Sequence, residues 1–251
     1  SDVCSSDLLE SGDFVLPVGV SLETRFKQVL IRGTRGSGGE WLSRIRSGDA
    51  SAIEHNGGNG KTLDIEDVAF SGFIVQASSS SLGVAISLAS GYGEVRRCLF
   101  EECIAPGQDG GAISVYGSSP AHRIALEDCT FRRCEGRLAG AIYHRKASSE
   151  STAARWPVVR CRFEHNLATD LAGGGAIYAL NYGAGVVDSI FVENLAADPG
   201  PPVARSINSV GPNPSTIEGS SFCSQLADDA GLVHVLPNSS VGENFNCLAN
   251  A

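Results

Sequence analysis

Five carboxylates, Glu66, Asp67, Glu127, Asp128 and Asp188, recur at related points of the 251-residue chain. General acid–base hydrolysis of a glycosidic bond needs two carboxylates roughly 5–9.5 Å apart. Calcium needs several convergent oxygens. Tyr143 and Tyr178 each follow an Ala-Ile pair, so they are expected to stack on one another, as a sugar-binding strip or as a structural one. The five histidines (His55, His122, His144, His165, His234) fall at unrelated points with no nucleophile nearby, and a surface role is expected for each. His55-Asn-Gly-Gly-Asn-Gly-Lys-Thr62 lacks the leading glycine and the following helix of a phosphate loop, and reads as a turn.

These residues are positioned by a repeat. Ile124-Ala-Leu-Glu-Asp-Cys-Thr-Phe-Arg-Arg-Cys134 contains the pattern aliphatic-x-x-Cys-x-Phe-x-x-Cys/Asn, which returns as VRRCLFEEC, VVRCRFEHN and VVDSIFVEN, and more weakly as IEDVAFSGF and IEGSSFCSQ. Phe70, Phe100, Phe131, Phe163, Phe191 and Phe222 are spaced by 30, 31, 32, 28 and 31 residues. A period in this range marks a stacked-repeat protein. Position by position, Cys98, Cys129, Cys161, Ser189 and Ser220 form one column. Small and apolar columns are expected to share a buried strand face.

The intervening columns alternate in sign. One reads Asp67, Arg97, Asp128, Arg160, Asp188, another Glu66, Arg96, Glu127, and after Phe come Glu101, Arg132, Glu164. Opposite charges side by side in a sheet stabilise it by roughly 0.2–1 kcal/mol, so the copies are expected to be neighbouring parallel strands. The same alternation neutralises the carboxylates rather than gathering them, and a solvated charge ladder is the expectation. A second mark, Gly111-Ala-Ile113, Gly140-Ala-Ile142 and Gly175-Ala-Ile177, falls 10–15 residues after Phe. It suits a sharp turn followed by another inward-packing strand. Two or three strands per period without helical periodicity describe one coil of a β-solenoid.

Phe163-Glu-His-Asn166 followed by Gly174-Gly-Ala-Ile177 resembles the FxxN/GGAI repeats of polymorphic outer membrane proteins, within the pectin-lyase-like superfamily. Phe191-Val-Glu-Asn194 matches the first half, and Cys103 and Cys134 replace the asparagine elsewhere. The resemblance covers roughly residues 12–247 and implies an all-β, single-stranded right-handed parallel β-helix of about seven coils. It implies structural roles for the six phenylalanines and for Asn166 and Asn194. Relatives of this kind that act on acidic polysaccharides carry clustered carboxylates on one sheet, with calcium or an acid–base pair. The candidate binding residues here are therefore Tyr143, Tyr178, Asp128, Arg160 and Asp188. No catalytic set, metal site or cofactor is expected, calcium being the one ion these carboxylates could take.

Net charge is −9, from 19 basic and 28 acidic residues, which argues against a nucleic-acid partner. A polysaccharide or cell-surface ligand is the expected partner, and no apolar run long enough for a transmembrane helix exists. Ser1 to Leu8 resembles translated sequencing adapter, leaving a β-helix domain over 9–251: first coils and cap to 62, regular repeats over 63–225, a terminal rung over 226–251. Ser21 to Lys27 reads as part of the first coil or as a short capping helix. The stretches 145–156 and 197–214 are expected to be loops leaving the coil. The cysteine columns are expected to pack as small apolar residues; Cys98, Cys129 and Cys161, or Cys103 and Cys134, lie within bridging range of one another, and Cys223–Cys247 is the better candidate bridge. The expected product is an extracellular or surface-displayed scaffold or adhesin-like module, monomeric or part of a longer chain. A polysaccharide lyase or glycoside hydrolase is the alternative.

Overall fold

The structure is a computed structural model. It describes residues 5–17, 21–25, 28–46, 51–57, 62–75, 85–117, 123–146, 155–170, 172–197, 203–204, 206–210, 212–213, 215–223, 233–234, 240–241 and 245–246. Among these every regular element is a β-strand, in three sheets of nine, thirteen and eight strands. Sheet I runs through Thr62–Glu66, Tyr92–Arg96, Arg123–Glu127, Arg155–Val159 and Gly183–Val187; sheet II through Val68–Ile74, Leu99–Ala105, Thr130–Arg132, Arg162–Glu164 and Ile190–Val192; sheet III through Ile86–Ser90, Ile113–Gly117, Ile142–Lys146, Ile177–Leu180 and Ile207–Val210. The chain visits I, II and III in turn and, Val203–Ala204 apart, pairs its strands in parallel with their counterparts one repeat away. This is a parallel β-solenoid.

The phenylalanines pair Phe70↔Phe100↔Phe131↔Phe163↔Phe191↔Phe222. Their rings stack at 4.7–5.0 Å. Each such pair adds about 0.5–1.5 kcal/mol beyond burial. The six rings bracket about five turns, against the seven expected. Beyond Phe222 the described residues continue each sheet by a two-residue strand, Val233–His234, Ser240–Val241 and Phe245–Asn246. One apolar core runs from Val29 to Phe222.

The spacing inside the motif has a geometric origin that differs from a single strand. Val95, Cys98, Phe100 and Cys103 all face the core, yet the first and last steps are three residues long. The residues before Cys98 and Cys103, Arg97 and Glu102, have φ of 52° and 54°. One left-handed residue turns a corner and resets the in–out alternation, so positions three apart both point inward. These corners stack in two columns: Asp67, Arg97, Asp128, Arg160, Asp188 and Gly219, then Gly72, Glu102, Arg133, His165 and Glu193.

The glycines of the Gly-Ala-Ile mark serve close approach rather than a positive φ. A Cβ on Gly140 would lie 2.0 Å from the Gly175 carbonyl oxygen and 2.5 Å from the Leu167 nitrogen.

Leu22–Arg25 is a strand pairing with Ile53–Asn56, which favours the first-coil reading of this stretch over the capping helix. Two expectations of loops change. The stretch 197–214 is not simply a loop: Val203–Ala204 folds back antiparallel on Leu195–Ala196, and Ile207–Val210 continues sheet III. Ile207 takes the place of Ile177 on the next rung, and irregular spacing hid it. The ends of 145–156 are also in the coil, with Trp156 buried in the core. Ser5–Leu8, within the segment set aside as adapter, pairs in parallel with Val29–Arg32. His122 and Cys247 lie outside the described residues.

Candidate functional site

The charged corners between sheets I and II hold Asp128, Arg160 and Asp188 of the expected site residues. Arg160 grips Asp128 with two hydrogen bonds, Nε to Oδ1 at 2.8 Å and Nη2 to Oδ2 at 3.0 Å, and also meets Glu127. One repeat earlier Arg97 holds Asp67 the same way, both bonds at 2.9 Å, and reaches Glu66 at 3.1 Å. These hydrogen bonds hold the Arg97 and Arg160 guanidinium groups above their ordinary range. Arg96 spans Glu66 and Glu127 at 3.3 and 3.5 Å. Arg132 lies 2.7 Å from Glu101, while Glu164, in register with Arg132, pairs within its own strand with Arg162. The sign alternation is thus realised as ion pairs between successive rungs. Asp188 differs: its carboxylate leans over Gly219, where an added Cβ would sit 2.3 Å from Oδ1.

Tyr143 and Tyr178 are in register and stack at 5.9 Å, tilted by 17°. They are only 1% and 8% exposed. With Ala139 they form a second small core on the outer face of sheet III, flanked by Tyr116, Leu138, Leu180 and Val210. Burial raises both phenols. The Tyr116 hydroxyl accepts from Arg145 at 2.9 Å, and the guanidinium lies 5.2 Å from the Tyr116 ring.

A carboxylate pair escaped the sequence reading. Asp64 and Glu94 are partners in adjacent strands of sheet I, on its outer face three residues before the corners at Asp67 and Arg97. Thr62 donates to Asp64 at 3.3 Å and Tyr92 to Glu94 at 2.9 Å, while Arg96 pairs with Glu94. Burial, then the neighbouring Glu94 charge, raises the Asp64 carboxyl. Burial and the Glu94 hydrogen bond push Tyr92 up to about 12. The available signal was a column reading Asp64, Glu94, Ala125, Pro157, Gly185, which gives like charges on two rungs and nothing after.

A shallow cleft of about 120 Å³ opens on the N-terminal part of sheet III, lined by Glu23, Glu54, His55, Asn56, Ser87 and Ala89. His55 and His144 are buried, against the surface expectation, while His165 is exposed and meets Glu193 at 3.0 Å. Thr24 contacts the His55 Nδ1 at 2.7 Å. His144 stacks on Trp156 at 5.0 Å and meets Tyr182 at 4.8 Å, tilted by 41°. Among the described residues no three His, Cys, Asp or Glu side chains converge as a metal site, and no helix is long and apolar enough to cross a membrane.

The fold and surface together define an all-β parallel β-solenoid with arginine–carboxylate ladders on its corners. No family model matches the chain, and no curated protein is similar to it in sequence.

Proposed function

We propose that the chain is a non-enzymatic β-helix scaffold, an adhesin-like or matrix module that is secreted or displayed at a cell surface. The observation that carries this reading is the matching of arginine to carboxylate on successive rungs: Arg97 with Asp67, Arg160 with Asp128, Arg132 with Glu101. A carboxylate held by a guanidinium is a poor proton donor and a poor calcium ligand. The resemblance of Phe163–Asn166 and Gly174–Ile177 to FxxN/GGAI surface repeats supports the same conclusion, and puts the chain near the pectin-lyase-like superfamily. Any ligand, a polysaccharide or a cell-surface group, would meet the outer faces and the segments at 145–156 and 197–214.

One observation favours a second reading, a polysaccharide lyase or glycoside hydrolase. Asp64 and Glu94 are neighbouring carboxylates in different environments, and such a pair is suited to acid and base roles. Incubation with polygalacturonate, alginate and related polymers, with and without calcium, separates the two. The scaffold reading expects no change in polymer length, with any affinity visible only on a glycan array. Depolymerisation that Glu94→Gln abolishes would overturn it.

A further inference from the structure

The interior holds a ladder of thiols. Cys98, Cys129 and Cys161 occupy equivalent points of three successive rungs: Thr130 and Arg162 donate their N–H groups to the Cys98 and Cys129 carbonyls, and Leu99↔Thr130↔Arg162 are in register. All three are free and buried. Their side chains share one orientation. The Cys98 Sγ points at the Arg96 and Ile65 carbonyls, the Cys129 Sγ at those of Glu127 and Val95, and the Cys161 Sγ at that of Val159. The sulfurs therefore repeat at the strand spacing, about 4.8 Å.

That spacing discriminates between kinds of thiol chemistry. A disulfide needs sulfurs about 2.05 Å apart and Cβ atoms about 3.8 Å apart, closer than in-register parallel strands bring them. A zinc tetrahedron needs four convergent ligands, and none converge among the described residues. A linear sulfur–metal–sulfur unit spans twice one metal–thiolate bond, about 4.6 Å on the zinc–thiolate length of about 2.3 Å. Thiolates select soft cations such as Cu(I).

We propose that Cys98, Cys129 and Cys161 form a binding site for a soft monovalent cation, Cu(I) or Ag(I), held in a line between thiols of successive rungs with Cys129 shared. The cation replaces one thiol proton, R–SH + M⁺ giving R–S–M + H⁺, and a lone pair of the neighbouring neutral thiol completes the line. The unit has no net charge, as an apolar core requires. Cys129 lies on the middle rung, so it is the thiol that both lines share. This site is independent of the scaffold reading.

The test is titration of the reduced full chain with Ag(I), on the folded protein and during refolding, followed by native mass spectrometry and X-ray absorption. Expected are uptake with two sulfurs per cation at about 2.3 Å, unchanged β-sheet circular dichroism, and one proton released per cation. Cys129→Ser is expected to fold, because Ser189 and Ser220 hold the same column. In a Cys103→Ser, Cys134→Ser background, which removes the other stacked pair of free thiols, it should weaken uptake by more than the roughly 10–100-fold that loss of a supporting group costs. If it does not fold, Cys98→Ser with Cys161→Ser gives the same loss, while either alone keeps one pair. Equal uptake with and without Cys129→Ser in that background, no uptake, or uptake only with loss of sheet signal would each overturn the proposal.

Discussion

Asn166 and Asn194 hold each other across one rung: Asn166 donates its backbone N–H and its Nδ2 to the Asn194 Oδ1, at 3.1 and 2.8 Å. The same column continues downward, with the Cys134 N–H donating to the Asn166 Oδ1 at 3.0 Å and the Asn166 Nδ2 donating to the Phe131 carbonyl at 3.0 Å. Cysteine fits this column because its thiol reaches the matching carbonyl, Cys134 Sγ to Phe100 at 3.6 Å. Side chain and backbone are thus stitched together at the corner that precedes Leu167.

Asn166→Ala removes the side-chain partners of the buried Cys134 N–H and the Phe131 carbonyl and one of the two donors to the Asn194 Oδ1. A loss of about 3 kcal/mol is expected, read from the midpoint of urea unfolding. Asn166→Cys should cost clearly less, because the thiol keeps the bond to the Phe131 carbonyl. Equal losses for the two variants would show that the hydrogen-bond ladder is not what stabilises this corner.

Gly140→Ala and Gly219→Ala probe two different demands. At Gly140 the new methyl meets a backbone oxygen at 2.0 Å, and neighbouring rungs must separate, at a cost of about 1–3 kcal/mol or more. At Gly219, with φ of +59°, the obstacle is the Asp188 carboxylate, a movable side chain, so left-handed strain of about 1–2 kcal/mol dominates. Gly140→Ala should be the more damaging of the two in thermal unfolding, and Asp188→Ala should relieve part of the Gly219→Ala loss only.

His144 gives the protein an acid limit. Burial lowers its imidazole to about 3, and both ring nitrogens lack hydrogen-bond partners. Unfolding frees the group to titrate near 6.5. The native state therefore keeps its full stability above pH 6.5, loses it progressively as pH falls from 6.5, and the loss levels off near pH 3 at roughly 4–5 kcal/mol. His144→Phe keeps the stack on Trp156 and the contact with Tyr182 without the titrating group. It should flatten stability against pH across that window, and an unchanged slope would contradict this assignment.

Asp64 has the opposite sign. Its carboxyl is raised in the folded state, so its stabilising effect is present at acid pH and lost as pH rises through the folded value. Asp64→Asn should therefore raise Tm at pH 7 and leave it unchanged near pH 3. The site is only partly buried, so solvent screening limits the rise to about 1–3 °C.

Much of this was legible in the sequence where one column has one cause. Phe100, Phe131 and Phe163 announce the file of rings because each packs on its own copy, and Arg132 beside Glu101 follows from the same register. What stayed hidden depends on several strands at once. The corner at Arg97 looks like strand, because no side chain advertises a left-handed φ and charged residues hold it there. His144 reads as a surface histidine until Trp156, in the sheet-I strand Arg155–Val159, and Tyr182, just before the next sheet-I strand Gly183–Val187, close over it. Ile207 was missed because the segment before it turns back through Val203–Ala204 and breaks the spacing. Cys223 is disulfide-bonded, and the expected partner Cys247 lies outside the described residues, whereas Cys98, Cys103, Cys129, Cys134 and Cys161 are free.

The file of six rings is tested most directly by nuclear Overhauser contacts between phenylalanine rings, in perdeuterated protein with protonated Phe. The account predicts a chain of contacts Phe70–Phe100–Phe131–Phe163–Phe191–Phe222, each at the 4.7–5.0 Å ring spacing, with none between rings two rungs apart. Contacts that skip a rung, or rings resolved into separate clusters, would contradict the coil and the ladders built on it.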